Sequence, residues 1–164
     1  MSARAWLVLL CVGLVLLALL GMRVGWRNRG RRQGGLTALP GVPAELGAPV
    51  LPALDGLYVG TAFATSWQDR VVHGGLGVRA EAATTLYSGG ALIERTGADP
   101  VFIPAEAITG ARLAPGLAGK VVGAGGLLVI SWRLGEAELD TAVRADDKSA
   151  YPLWVRTINA EVVA

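Results

Sequence analysis

Cysteine and histidine are nearly absent from this 164-residue chain, which has one of each. The single cysteine, Cys11, lies inside an apolar stretch, so neither a disulfide framework nor a cysteine-based metal site can form within one chain. The single histidine, His73, lies in a segment rich in turn residues. Stabilisation and any chemistry must therefore come from other residue types.

Acidic residues are absent from the first 32 positions, which contain six arginines. The remainder has nine basic residues against 13 acidic ones, so the basic pI of about 9.0 belongs to the N-terminal segment. A nucleic-acid-binding domain needs positive charge on its folded part, where it meets phosphates. The charge distribution therefore predicts no nucleic-acid partner.

Charged residues are also absent from residues 5–22, AWLVLLCVGLVLLALLGM. A helix of this length spans about 27 Å, close to the hydrocarbon thickness of a bilayer. Trp6, the second residue of the segment, and Trp26, four residues after its end, are spaced so that one indole ring lies at each membrane interface. A cleaved signal peptide would have a shorter apolar core and a small-residue cleavage site, whereas an arginine-rich segment follows here. We predict a single transmembrane helix at 5–22.

Five arginines follow the apolar segment, and only Arg4 precedes it. The positive-inside rule therefore predicts a short extracytoplasmic tail at 1–4, a basic juxtamembrane segment at 23–32 and a cytoplasmic C-terminal part, in a single-pass protein of the plasma membrane. The arginines fix this topology and can also contact anionic lipid head groups. The residues predicted at the membrane interface are Trp6, Arg23, Trp26, Arg27, Arg29, Arg31 and Arg32.

Residues 33–56 contain four prolines and five glycines and show no consistent apolar period. This composition predicts a linker whose prolines stiffen it, so that the following domain is held near the membrane surface. Pro40 and Pro43 also match the PxxP spacing of polyproline recognition motifs, which is the alternative interpretation of the segment.

From residue 57 onward, short apolar or alternating runs are separated by turn residues, as in an all-β sandwich or barrel. In the run 126–134, apolar residues occupy most positions on both faces, which predicts a central strand covered on both sides. Seven strands are predicted, at 56–64, 77–87, 91–97, 101–104, 108–114, 126–134 and 136–145.

The C-terminal segment changes to a helical period after Asp146 and Asp147, which favour a helix start. Pro152 fits a helix only within its first turn, so the helix is expected to begin near Ala150. Its apolar stripe consists of Tyr151, Trp154, Ile158 and Val162.

Seven strands followed by one C-terminal helix with a tryptophan on its apolar face resemble the pleckstrin-homology-like (PH-like) fold. Together with the N-terminal helix and the segment RADDKSAYPLWVRTIN, the chain looks like the membrane-anchored PH-like proteins of actinobacteria, sometimes labelled transporter or export proteins. The resemblance implies a mainly β domain at 57–164, a seven-stranded barrel or orthogonal sandwich plugged at one end by the helix. Trp154 would take the place of the helix tryptophan of that fold.

Eukaryotic PH domains bind phosphoinositides through a lysine- and arginine-rich loop between their first two strands. The corresponding residues here, 66–79, have two isolated arginines, Arg70 and Arg79, with Asp69 next to the first and Gly77 where a second base is expected. The domain from residue 57 also carries nine basic against eleven acidic residues. We therefore expect a protein partner rather than an inositol phosphate.

No motif for catalysis stands out. Ser66, Asp69 and His73 are the residue types of a hydrolase triad, but they lie within one short loop without a visible scaffold or oxyanion site. The glycines at 123–126 precede a predicted strand rather than a helix, and Gly119 lacks the earlier glycine of a phosphate-binding loop. We predict no catalytic, cofactor-binding or metal-binding residues and no cofactor.

The leading functional hypothesis is a membrane-tethered, non-enzymatic adaptor that binds a protein, for example by strand addition to a sheet edge. The alternative is a small accessory subunit of a transport or envelope-assembly complex, which acts through its transmembrane helix. An enzymatic role that depends on His73 or a neighbouring carboxylate is the third hypothesis.

Overall fold

The structure, a computed structural model, describes residues 10–23 and 36–163. The chain divides into two compact units, Met1–Gly35 and Leu36–Ala164. In the first unit, residues 10–23 form helix α1, and Arg23 is its last described residue. The predicted tail and the interface residues Trp6, Trp26, Arg27, Arg29, Arg31 and Arg32 lie outside the described residues.

The predicted transmembrane segment, 5–22, lies only in part within the described residues. Among the helices that the structure describes, none combines the length and the apolar character needed to cross a membrane.

The second unit is a mainly β domain that ends in helix α2 (Tyr151–Val163). Its strands are β1 (Pro49–Phe63), β2 (Ser66–Arg70), β3 (Ala80–Tyr87), β4 (Gly90–Arg95), β5 (Val101–Pro104), β6 (Ile108–Ala114), β7 (Gly116–Leu117), β8 (Lys120–Val121), β9 (Leu127–Leu134) and β10 (Ala137–Ala145). The seven predicted strands correspond to β1, β3, β4, β5, β6, β9 and β10, whereas β2, β7 and β8 were not predicted. The expected mainly β domain with a C-terminal helix is therefore confirmed.

The main sheet is antiparallel throughout, with strand order β5-β4-β3-β1-β10-β9-β6 and β2 paired to the end of β1. One face of this sheet and the apolar face of α2 share the main core cluster. The small β7–β8 hairpin contributes Leu117 to a second cluster, which contains Val59, Val129 and Ala142 of the main sheet.

Strand β9 is buried on both faces, as predicted. Leu128, Ile130 and Trp132 belong to the main cluster, whereas Leu127 and Val129 belong to the second one. Because one cluster covers each face of β9, its sequence is apolar at most positions.

The predicted closed barrel is wrong, because the sheet does not close. The terminal strands β5 and β6 are not hydrogen-bonded to each other. Pro104, which has no N–H to donate, ends β5, and a 3₁₀ turn at Ala105–Ala107 leads directly into β6. Helix α2 packs beside β6 and contributes its apolar face to the core of the open sheet.

The domain begins earlier than the predicted boundary at residue 57. Leu36 is buried in the main cluster, and strand β1 starts at Pro49, within the predicted linker 33–56. Leu51 and Leu54 also face the core, and the register of β1 against β3 shifts on both sides of Leu51. These register shifts allow the strand to contain prolines. They also interrupt the alternation of apolar and polar residues by which a strand is predicted from sequence.

The outer edge of β6 is partly occupied by a side chain of α2. The Oδ1 atom of Asn159 accepts a hydrogen bond from the backbone N–H of Ala111 at 2.7 Å, and Nδ2 donates to the carbonyl of Ala111 at 3.0 Å. The amide thus bonds to β6 as a peptide group of a further strand would. This satisfies backbone groups on a terminal strand that would otherwise be unpaired.

We predict that Asn159→Ala lowers the free energy of unfolding by about 1–3 kcal/mol, because it removes two hydrogen bonds. Urea denaturation measures this change, and hydrogen exchange should show faster exchange of the Ala111 amide. Glu161→Ala, an exposed change on the same helix, is the control. An unchanged exchange rate at Ala111 in the Asn159 variant would contradict the assigned role.

Candidate functional site

Helix α2 carries the predicted apolar stripe, with one exception. Tyr151, Trp154 and Ile158 are each 1% exposed and pack in the main cluster. Val162 is 43% exposed, so its predicted place in the plug is wrong.

The hydroxyl of Tyr151 ties the start of α2 to the sheet. It accepts a hydrogen bond from the backbone N–H of Ala145 at 2.8 Å and donates to the carbonyl of Gly126 at 3.5 Å. Asp147 accepts from the N–H of Ser149 at the turn before the helix, and this bond lowers the pKa of Asp147. The helix is therefore fixed at its first turn as well as by its apolar stripe.

The segment 66–79, which takes the place of the PH-domain ligand loop, consists of β2 and the loop 71–79, and Arg70 fixes this loop. The guanidinium of Arg70 donates to the carbonyls of Gly77 at 2.8 Å and Ala118 at 3.1 Å. These bonds join the loop to the β7–β8 hairpin. Because Arg70 is engaged with backbone carbonyls, it is a structural residue rather than a phosphate ligand.

A second arginine closes the same loop from the opposite side. Arg95 is 7% exposed and donates to the carbonyls of Gly75, Val78 and Asp99, at 2.8, 3.2 and 2.8 Å. Its guanidinium carbon lies 4.8 Å from the centre of the Tyr58 ring. A cation over an aromatic face is favourable, particularly away from water.

A chain of buried hydrogen bonds runs from β9 to this loop. Trp132 Nε1 donates to Thr141 Oγ1 at 2.9 Å, and the hydroxyls of Thr141 and Thr61 lie 2.7 Å apart. Thr61 in turn bonds to the Tyr58 hydroxyl at 2.8 Å, which donates to the carbonyl of Leu76 at 2.7 Å. Because an indole N–H only donates and a carbonyl only accepts, every hydroxyl in the chain must donate toward Leu76.

The residues of the hypothetical hydrolase triad are not brought together. Ser66 and Asp69 lie three positions apart on strand β2, where alternate side chains face opposite sides. His73 lies in a 3₁₀ turn, and its backbone carbonyl accepts from Leu76. No hydrogen bond joins the three side chains in the described part of the chain.

The glycine-rich segment 123–126 forms a turn that leads into strand β9, so it has no helix to hold a phosphate. Lys120 lies on the two-residue strand β8 and is exposed. Among the described residues, no group of three or more histidine, cysteine, aspartate or glutamate side chains is arranged to hold a metal ion.

A groove opens on the surface of the domain along β1, and none of the residues that line it was predicted from the sequence as a site residue. This groove, of about 740 Å³, crosses β10, β1, β3 and β4. Its lining includes Asp55, Glu81, Glu94, Arg144 and Asp146. We call it the acidic groove. In the sequence, Glu81 and Glu94 lie on separate predicted strands, Asp55 in the predicted linker and Asp146 at the predicted helix start, and only the strand order brings them together.

A second groove of about 480 Å³ lies between β1 and the start of α2 and is mainly apolar. It includes Pro52, Leu153 and Trp154, and we call it the apolar groove. Asp55 and Asp146 line both grooves, so the two are continuous.

A sequence comparison decides the family. The family described as Bacterial PH domain-like matches residues 36–159, about three quarters of the chain. The chain belongs to this family. The bacterial PH domain-like match begins at Leu36, where the compact second unit also begins. No curated protein matches the chain. The PH-like fold expected from the sequence is thereby confirmed, and PH-like domains are generally non-catalytic.

Burial raises the pKa of Tyr58 from 10.0 to about 12. The neutral phenol is therefore favoured in the folded state, and its contribution to stability is complete below pH 10 and is lost as the pH rises to about 12. We predict that this loss amounts to about 3 kcal/mol. Urea denaturation across this pH range measures it.

Tyr58→Phe is the matched control, because it cannot ionise at this position. The difference in unfolding free energy between the wild type and the variant should shrink between pH 10 and 12. Absorbance of tyrosinate should show one group of the folded wild type that titrates near pH 12 and is missing from the variant. Titration of Tyr58 near pH 10 would contradict its burial in the hydrogen-bonded chain.

Proposed function

We propose that this protein is a membrane-tethered, non-enzymatic adaptor whose PH-like domain binds a protein partner at the cytoplasmic face of the plasma membrane. The observation that carries the proposal is the pair of continuous grooves along β1. Concave surfaces that combine apolar and charged residues are typical of recognition sites. The family supports an interaction or scaffold module.

The rest of the domain supports recognition rather than chemistry. The Arg70, Arg95 and Tyr58 contacts fix the loop 71–79 through backbone carbonyls. In the described part of the chain, every buried side-chain nitrogen and oxygen has a hydrogen-bond partner. A satisfied interior supplies a rigid scaffold for a binding surface.

Strand addition, the binding mode first expected, is less favoured than binding in the grooves. Asn159 occupies the outer side of β6 at Ala111, and β5 is four residues long and ends in proline. The first part of strand β1, before its pairing with β10 begins at Gly56, contains Pro49 and Pro52 and two register shifts. Prolines, bulges and short length are devices that prevent pairing at sheet edges.

The membrane tether is supported by the sequence. Residues 5–22 lack charge, and five arginines follow them. This pattern favours a single span with the domain in the cytoplasm. Tethering would raise the effective concentration of the domain toward any partner at the same membrane.

The accessory-subunit hypothesis is the second candidate. The apolar side chains of α1, such as Leu10, Leu14 and Leu17, are 62%, 61% and 71% exposed. They could pack laterally against helices of a larger complex.

Affinity capture from solubilised membranes distinguishes the two candidates. One bait is the full chain. The other is a full-length variant in which residues 5–22 are replaced by an unrelated apolar helix, while Trp6, Trp26 and all arginines are kept. We expect both baits to enrich the same protein, because the domain carries the specificity. Both baits should also fractionate with the membrane.

Loss of every partner from the variant would contradict the adaptor proposal and favour the accessory subunit. Recovery of the full chain in the soluble fraction without detergent would contradict the tether. A second tethered bait that carries an unrelated soluble domain identifies proteins captured through the shared helix alone.

A further inference from the structure

The acidic groove contains carboxylates that the strand register places in one row across the sheet. Asp55 of β1 is opposite Ala83 of β3, which is opposite Glu94 of β4. On the other side of β1, the N–H of Asp146 donates to the carbonyl of Asp55 at 2.9 Å. Asp55 and Asp146 lie next to each other, whereas Ala83 separates Asp55 from Glu94. Like charges directly opposite each other destabilise a sheet, so the pair of Asp55 and Asp146 opposes stability.

No ion pair neutralises this row within the described residues. The ion pairs of the domain, Arg112 with Asp140 and Arg133 with Glu138, lie outside the groove. Arg95 lines the groove but is buried and engaged with backbone carbonyls. Arg144 lies one row away, opposite Leu57, and is the one exposed cation of the lining.

The apolar groove provides an anchoring point next to these charges. Leu153 is 42% exposed, and Pro52 and Ala53 on the facing strand are also exposed. Asp147 lines this groove together with the shared Asp55 and Asp146. A ligand that spans both grooves would meet carboxylates along most of its length and an apolar surface at one end.

We propose that the two grooves together bind a peptide segment of a protein partner in which basic side chains stand next to an apolar one. Lysine or arginine side chains would lie over Asp55, Glu94 and Asp146, and the apolar side chain would lie between Pro52 and Leu153. This inference rests on the proposed adaptor function and names the chemistry of the partner.

Charge complementarity favours this occupant over others. The carboxylates are spread over three strands and the residue after β10, whereas a metal ion requires ligands that converge on one point. A polyamine would match the charge but would leave the apolar groove empty. An inositol phosphate would be repelled by the same carboxylates.

The test measures fluorescence anisotropy of a labelled decapeptide that alternates lysine with valine, mixed with the full chain in non-ionic detergent. The variant Asp55→Asn with Glu94→Gln should weaken binding about fivefold to tenfold, because two exposed charge pairs are lost. Leu153→Ser should weaken the same peptide, but it should not affect a peptide with serine in place of valine.

Glu45→Gln with Glu136→Gln is the matched control, since both residues are exposed, lie outside the two grooves and change the net charge equally. The control should bind as the wild type does. The groove variant should melt at the same temperature or higher, because like-charge repulsion is relieved. The melting temperature of the groove variant therefore distinguishes a loss of binding from a loss of the folded state.

Equal weakening by the groove and control variants would overturn the proposal, since net charge alone would then explain binding. Binding of spermine or calcium ions without the peptide would also overturn it, as would a lower melting temperature of the groove variant. If the peptide test fails but the affinity capture still enriches a partner through the domain, only the peptide proposal is contradicted. If that capture fails, the adaptor function fails independently of the peptide result.

Discussion

An antiparallel sheet that does not close must cover its open side with another element, and in this domain that element is helix α2. The strand order ends at β5 and β6, and the turn after Pro104 joins them without hydrogen bonds between them. Trp154, buried in the main core cluster, contributes the largest side chain from the helix. Large aromatic side chains dominate the energetics of such cores. The core of the sheet therefore depends on the docking of α2.

This arrangement determines where the domain is open. Asn159 extends the helix contact to the edge of β6, and Tyr151 fixes the first turn of the helix to β10. The hydrogen-bonded chain from Trp132 to Leu76 and the two arginines close the loop 71–79. The surface along β1, beside the first turn of α2, keeps its grooves. The rigid interior and the open surface are thus two results of the same packing.

The sequence predicts the strands and the helix well because their signals are local. In β9, the alternation of Leu128 and Ile130 with Leu127 and Val129 assigns both faces correctly. The two-residue strands β7 and β8 are too short for any period to show. Val162 continues the helical period of Trp154 and Ile158, but the core ends before it. Periodicity indicates which residues share a face, and it does not indicate how far the partner surface extends.

The candidate site was not predictable, because it depends on register and distant contacts. Asp55 and Glu94 come into one row, with Ala83 between them, only through the pairing of β1, β3 and β4. Asn159 and Ala111 are 48 residues apart, and no local pattern relates them. The boundary at Leu36 was missed because prolines and bulges conceal the first half of β1. The surfaces on which the proposed interaction depends form only in the folded domain.

The most direct test of this account is the effect of Trp154→Ala on the unfolding of the domain, compared with Leu153→Ala at the neighbouring exposed position. Denaturation by urea should show a loss of about 3–5 kcal/mol for the first variant and a much smaller loss for the second. The first variant should also bind a hydrophobic dye where the core becomes accessible. Equal and small losses for both variants would contradict the claim that the open sheet depends on the helix.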